Sequence, residues 1–217
     1  MNKILCPSLL NVPSEFLKDE VIALDKAGAD IFHVDIMDAH FVPNFGMSLH
    51  ELSLVRSYTD KLIDVHLMVQ DPGRYIELFV ERGADIIYIH PEADQHPARS
   101  LKKIRDLGKI PGIAINPGTS IETIHELFPL VDYVTVMSVN PGFAGQTYLD
   151  HVEPKIKKLA QIQKAEGFHT VIDGGVDWEN MKRLADYGIE GYVLGIFTLF
   201  NQEEKDYKVL MDKMRAL

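Results

Sequence analysis

Short apolar runs and amphipathic stretches alternate along the whole chain. Lys3 to Leu9, Ile31 to Met37, Leu62 to Met68, Ile86 to His90, Ile110 to Asn116, Tyr133 to Ser138, Thr170 to Asp173 and Gly191 to Leu194 are rich in β-branched residues and read as strands. Between them the apolar positions recur at helical spacing. Phe16, Leu17, Val21 and Leu24 predict a helix over Ser14 to Ala27 that Gly28 closes. Further helices are expected from about Leu49 to Tyr58, Gly73 to Arg82, Ala98 to Leu107, Leu149 to Glu166 and Trp178 to Tyr187, and through most of the tail to Leu217. A short one over Ile121 to Phe128 has Thr119 and Ser120 as cap candidates. Ala27-Gly28-Ala29-Asp30-Ile31 and Arg82-Gly83-Ala84-Asp85-Ile86 are internal echoes, each a helix end running straight into a strand. Eight strand-helix units with short loops and no linker predict one domain over 1–217, a closed parallel (β/α)8 TIM barrel with its helices outside; an open doubly wound sheet is the alternative.

Composition narrows the function classes. A 217-residue chain that is 46% hydrophobic and 25% charged can bury a large core. A formal charge of -10 argues against a general nucleic-acid or membrane-surface role while leaving room for a local anion site. The single cysteine, Cys6, excludes an internal disulfide framework and fits a reducing cytoplasm. The N-terminal stretch from Met1 to Pro7 is too short for a signal h-region, and no apolar run reaches the roughly 20 residues that span a bilayer.

The candidate chemistry gathers at the carboxyl ends of the strands, which is the functional face of such a barrel. In the second strand His33, Asp35 and Met37 alternate with Val34 and Ile36, so imidazole, carboxylate and thioether share one face. Asp64-Val65-His66-Leu67-Met68 repeats the theme in the third strand, and the seventh ends on Asp173. Ser8, His90, Glu92, Asn116, Met137 and Ser138 fall at other strand ends. Two neutral imidazoles and two carboxylates suit one borderline divalent ion: zinc, iron, manganese or cobalt. A buried His and Asp that merely satisfy each other would read the same way. Asn140 to Gln146 carries Gly142 and Gly145 after the sixth strand, Gly174-Gly175 follow the seventh and Gly195 the eighth. Small residues on loops six to eight let backbone N–H groups converge on an anion, and such barrels often hold phosphate there.

The stretches CPSLL (6–10), HVDIMDAHFVPN (33–44), DVHLMV (64–69), VMSVNPGFAGQ (136–146) and IDGGV (172–176) resemble the ribulose-phosphate 3-epimerase family over nearly the whole chain and in the same order. Allulose-6-phosphate 3-epimerase is a close relative within that resemblance. It implies a barrel of the ribulose-phosphate-binding type and a cytoplasmic isomerase of the pentose phosphate pathway acting on a ketose phosphate. It implies that His33, Asp35, His66 and Asp173 hold one divalent metal, that Asp35 and Asp173 are also the acid and base, and that Ser8 and His66 lie at the substrate. Gly142, Phe143, Ala144, Gly145, Gly175, Val176 and Gly195 would receive the phosphate, with Gly174 and Ile196 also at the substrate. By their own chemistry Met37, Met68 and Met137 either cover the intermediate with polarisable surface or simply fill the core.

Two positions depart from the family pattern: Ala39 replaces a usual Gly in the loop after Met37-Asp38, and Ile196-Phe197 follow Gly195 in place of a small hydroxyl residue. His90-Pro91-Glu92 and the ending Leu199-Phe200-Asn201 look like the allulose-6-phosphate enzymes. A decarboxylase on a related barrel would need a catalytic lysine, and no Asp-x-Lys-x-x-Asp run occurs. A barrel that only binds a sugar phosphate would need neither Asp35 nor Asp173. The loop from Pro43 to Ser48 is read either as a cover over the substrate or as a plain connection, and barrels of this class often form homo-oligomers.

Overall fold

The structure, a computed structural model, describes residues 3–217, so Met1 and Asn2 of the N-terminal stretch lie outside the described residues. The strands are β1 (Ile4–Pro7), β2 (Ile31–Met37), β3 (Leu62–Met68), β4 (Ile86–Ile89), β5 (Ile110–Ile115), β6 (Tyr133–Met137), β7 (His169–Asp173) and β8 (Gly191–Leu194). They form one 8-stranded parallel sheet in the order β1-β8-β7-β6-β5-β4-β3-β2. Between β1 and β2 a parallel bridge joins Ser8 to His33, Asp30 N donates to Leu5 O at 3.0 Å, and Leu5 N donates to the Asp30 carboxylate at 2.8 Å, which brings the barrel round to closure. The expected barrel is the observed one, and the open-sheet alternative falls.

Among the described residues seven α-helices wrap it: α1 (Leu17–Ala27), α2 (Leu49–Tyr58), α3 (Ile76–Glu81), α4 (Pro97–Asp106), α5 (Glu153–Glu166), α6 (Trp178–Asp186) and α7 (Tyr207–Ala216). Several are shorter than their apolar spacing predicts, and local backbone chemistry says why. Ser14–Phe16 is a 3-10 turn before α1. Asp71 adopts a left-handed conformation and Pro72–Arg74 forms a 3-10 turn, so α3 begins only at Ile76. The long helix begins at Glu153, with Pro154 in the first turn where a missing N–H costs nothing. The short helix expected over Ile121 to Phe128 is instead two 3-10 segments, Ile121–Thr123 and His125–Leu130, the second containing Pro129. Neither cap candidate works as expected there: Ser120 makes no side-chain cap bond, and the Thr119 hydroxyl donates to Glu92.

The period-two pattern assigns the strand faces correctly. Phe32, Val34, Ile36, Val65 and Leu67 pack into the large core between sheet and helices. Cys6, Ile31, Ile86, Tyr88, Ala114, Val171 and Val193 form a second, smaller core. On the alternate positions His33, Asp35, His66 and Met68 are buried as well, while Leu62 at the start of β3 is exposed. They turn to the other face of the sheet. The loop after β2 is fastened down. Phe45 bridges Asp38 in antiparallel fashion, Met47 N donates to Asp35 O at 2.8 Å, and Asn44 Nδ2 donates to Gly142 O at 2.8 Å. Gly46 is required where this loop presses on β2, since a Cβ there would lie 2.5 Å from Asp35 O.

Candidate active site

β2, β3 and β7 deliver His33, Asp35, His66 and Asp173 to one point, where a ligand atom from each lies within 4.8 Å of the others. Register explains the meeting: Asp35 pairs directly with His66 across β2 and β3. Asp35 Oδ1 lies 3.2 Å from His33 Nε2 and 3.1 Å from His66 Nδ1. Asp173 Oδ2 approaches the same two nitrogens at 3.8 and 3.6 Å. Ser8 donates its hydroxyl to the other oxygen of Asp35 at 2.9 Å, so the two oxygens of that carboxylate are divided between the imidazoles and the serine.

Both imidazoles are backed on their far sides. His33 Nδ1 lies 2.6 Å from Asp64 Oδ1, a close charge contact not aligned as a hydrogen bond. His66 Nε2 lies 2.8 Å from His90 Nε2, and His90 Nδ1 lies 3.5 Å from Glu92 Oε2. His33, Asp64, His66 and His90 are all fully buried. These outward pairings are what the sequence does not reveal. Asp64 stands inside a strand motif and His90 at a strand end, but their meeting with His33 and His66 depends on register and ring orientation, which no spacing encodes.

Electrostatics at this spot favours a cation. Burial alone would raise the Asp35 carboxyl, but His33 and His66 outweigh it and hold it well below the ordinary carboxylate range. Burial pushes Asp173 up and the Asp35 charge adds to that, against the pull of both imidazoles. Burial by itself would lower His33, but Asp64 and Asp35 overcome that penalty and drive it well above its ordinary value. Without an ion the cluster therefore gathers protons. A divalent cation at the meeting point would take their place, satisfying two imidazole nitrogens and two carboxylate oxygens together, so the donor set fits a metal.

Above the cluster a cavity opens at the carboxyl ends of the strands. Asp35 and Asp173 reach it, with Ser8, Met37, Met68 and Met137 around them. Its far rim is Gly142, Phe143, Ala144 and Gly145 from the loop after β6, Gly174, Gly175 and Val176 after β7, and Gly195, Ile196 and Phe197 after β8. His33 and His66 lie outside this lining, so His66 meets the cluster but not the open cavity. Among the described residues that line it there is no lysine or arginine. Gly175 has φ +64°, and a Cβ there would lie 2.6 Å from Tyr148 N and 2.8 Å from Gln146 O, so only glycine lets loops six and seven close on each other. Gly142, Gly145 and Gly174 also take positive φ. After Gly195 the backbone turns through one wide helical turn, Ile196–Phe200, with Leu199 N donating to Gly195 O at 2.9 Å.

Fold and site together define a (β/α)8 barrel with a buried cluster of two histidines and two aspartates on the floor of a glycine-rimmed cavity. The chain belongs to the ribulose-phosphate 3-epimerase family, whose model matches residues 4–199. It is 40% identical over 198 residues to a ribulose-phosphate 3-epimerase of Synechocystis, covering 89% of this chain and 86% of that protein. It is 35% identical over 216 residues to the ribulose-phosphate 3-epimerase of Escherichia coli, covering 98% of this chain and 95% of that protein. Among solved structures, the 3-keto-L-gulonate-6-phosphate decarboxylase from Vibrio cholerae superposes with a TM-score of 0.72 over 100% of this chain and 98% of that chain. At 15% identity that likeness speaks for the fold alone.

Proposed function

We propose that the protein is a metal-dependent 3-epimerase that interconverts D-ribulose 5-phosphate and D-xylulose 5-phosphate, as a cytoplasmic single-domain enzyme of the pentose phosphate pathway. The observation that carries this reading is the convergence of Asp35 and Asp173 on one cavity from β2 and β7. Epimerisation beside a ketone removes a weakly acidic C–H proton and returns one to the opposite face, which takes two proton-transfer groups on either side of a flat intermediate. At the start one aspartate is ionised and takes the C3 proton; the other is protonated and delivers its own to the other face. The pair carries one proton before and after each turnover, and the reverse reaction exchanges the roles.

His33, Asp35, His66 and Asp173 would hold the ion, with zinc, iron, manganese and cobalt all suited to the donor set. When bound, such an ion supplies Lewis acidity that stabilises negative charge developing on the oxygens beside the reacting carbon. Ser8 orients Asp35 through its 2.9 Å hydrogen bond, holding one carboxylate oxygen toward the cavity. Met37, Met68 and Met137 enclose the reacting carbons with side chains that neither give nor take protons. With no basic side chain in the lining, the phosphate would be held by backbone N–H groups of the loops bearing Gly145, Gly175 and Gly195. Ile196 contributes its backbone alone, since its side chain offers no donor.

The test is C3-proton exchange followed by NMR in heavy water on metal-loaded protein, with D-ribulose 5-phosphate and D-allulose 6-phosphate in parallel. Exchange with formation of the 3-epimer is expected from the five-carbon sugar; exchange from the six-carbon sugar alone would reassign the substrate. Asp35→Asn and Asp173→Asn should each reduce kcat by about 10²–10⁴-fold with the circular dichroism spectrum unchanged. Full turnover in either variant would remove that residue from the acid/base pair.

A further inference from the structure

His66 is held by a hydrogen-bonded pair whose direction is set by groups outside the cluster. The 2.8 Å separation of His66 Nε2 and His90 Nε2 leaves room for one proton between the two rings. If His66 is the donor, its Nδ1 carries a lone pair toward Asp35 and Asp173, and His90 must carry its own proton on Nδ1, facing Glu92 Oε2 at 3.5 Å. If His90 is the donor, its Nδ1 presents a lone pair to the Glu92 carboxylate, and His66 turns an N–H toward the ligand atoms. The negative charge on Glu92 favours the first, because lone pair against carboxylate is repulsive and N–H against carboxylate is attractive; Asp35 Oδ1, 3.1 Å from His66 Nδ1, favours the second in the absence of an ion, and a cation at the cluster would remove that competition.

Glu92 is itself anchored. Its Oε1 accepts from Asn116 N at 2.8 Å and from the Thr119 hydroxyl, which leaves Oε2 for His90. Lys155 Nζ holds the carbonyls of Asn116 and Thr119 at 2.8 and 2.7 Å, fixing the loop that grips Glu92. His90 is fully buried, and the Phe41 ring packs on it with centroids 4.8 Å apart. The planes of the His66 and His90 rings are inclined by only 28°, which suits a bond near both ring planes.

We propose that His90 is a positioning residue for the metal centre: oriented by Glu92, it accepts the Nε2 proton of His66 and so fixes His66 as the tautomer whose Nδ1 lone pair is directed at the ion. His33 has a carboxylate, Asp64, directly behind it, whereas His66 receives its bias from Glu92 through a second imidazole. This inference rests on the reading of the cluster as a metal site. Partners of this kind commonly matter for metal affinity.

The experiment measures zinc binding by isothermal titration and histidine tautomers by long-range ¹⁵N–¹H correlation on ¹⁵N-histidine-labelled protein, both independent of turnover. In zinc-loaded wild type His66 should carry its proton on Nε2 and His90 on Nδ1. His90→Leu, which offers no acceptor, should weaken zinc binding by about 10–100-fold. His90→Gln, whose side-chain oxygen can take the same proton, should recover most of that loss. Glu92→Gln supplies an amide donor to His90 Nδ1, which reverses the bias that Glu92 gives, so zinc binding should weaken. Zinc affinity unchanged in folded His90→Leu, or a His90 proton on Nε2 in zinc-loaded wild type, would overturn the positioning role and leave the metal site standing. Wild type that takes up no zinc, cobalt or manganese would overturn the metal reading and this inference with it.

Discussion

Ala39 is an exposed residue with φ +57°, in the left-handed region, and its N–H donates to Asn44 O at 2.9 Å. The departure from glycine in this loop is therefore made where the backbone most favours glycine. An L residue there costs about 1–2 kcal/mol, against roughly 0.4–1 kcal/mol of extra unfolded-state freedom that glycine brings. Ala39→Gly should thus stabilise the protein by up to about 1 kcal/mol, read as a higher urea midpoint at constant m. An equal or lower midpoint would mean the loop gains from Ala39 in a way the dihedral does not show. Glu92 gives a second test at this scale. Burial tends to raise its carboxyl, but His90, Thr119 and Asn116 N together bring it from 4.5 down to about 2. A depressed folded-state value means stability that is present above pH 4.5 and is lost as pH falls through about 2. Glu92→Gln should then cost roughly 1–3 kcal/mol at pH 7 in metal-free protein. Its deficit against wild type should narrow at pH 3, and a gap of equal size at both pH values would show that the Glu92 charge contributes nothing to folding.

Loops six and seven act together through Gly175. Adding a Cβ there demands a left-handed alanine and pushes against Tyr148 N and Gln146 O, both backbone atoms that have nowhere easy to go. Gly175→Ala should open the rim, raising KM for the sugar phosphate at least about tenfold while kcat changes little, since Asp35 and Asp173 sit on strands and not on these loops. An unchanged KM would separate this rim from substrate binding. The elements themselves are mostly legible because strands and amphipathic helices have clean periods: Val34 and Ile36 against His33 and Asp35 is a reading that period two makes unambiguous. The stretch from Ile121 to Leu130 is not. Its apolar spacing suits an α-helix, but Pro129 removes a donor, and Thr119 spends its hydroxyl on Glu92, some 27 positions back along the chain. A cap candidate that finds a tertiary partner cannot be told from a true cap in the sequence.

At the scale of the whole barrel, the four residues of the cluster come from β2, β3 and β7, and the path from β2 to β7 crosses β1 and β8, the stretch where the sheet closes through Ser8 and Asp30. Motif order along the chain reveals which residues meet. The contacts between them and their outer partners follow from closure and register, and His33 paired with Asp64, or Asp35 with His66, is visible only once β2 and β3 are aligned. The ion proposed at this cluster would bind the folded barrel and not the unfolded chain, because the unfolded chain holds no such cluster. Its free energy of binding is therefore free energy of folding. At a free ion concentration about 100 times the dissociation constant the gain is about 2.7 kcal/mol. For a chain of 217 residues, that corresponds to a midpoint about 5–10 °C higher with zinc than after exhaustive chelation. Differential scanning calorimetry should show that difference in wild type and a much smaller one in Asp173→Asn, where one charged ligand is lost. Equal midpoints with and without ion in wild type would mean that the two histidines and two aspartates balance their own charges by protonation. The acid/base pair would then have to work without a cation, and the pKa of Asp173, pushed up by burial and by Asp35, would govern the reaction directly.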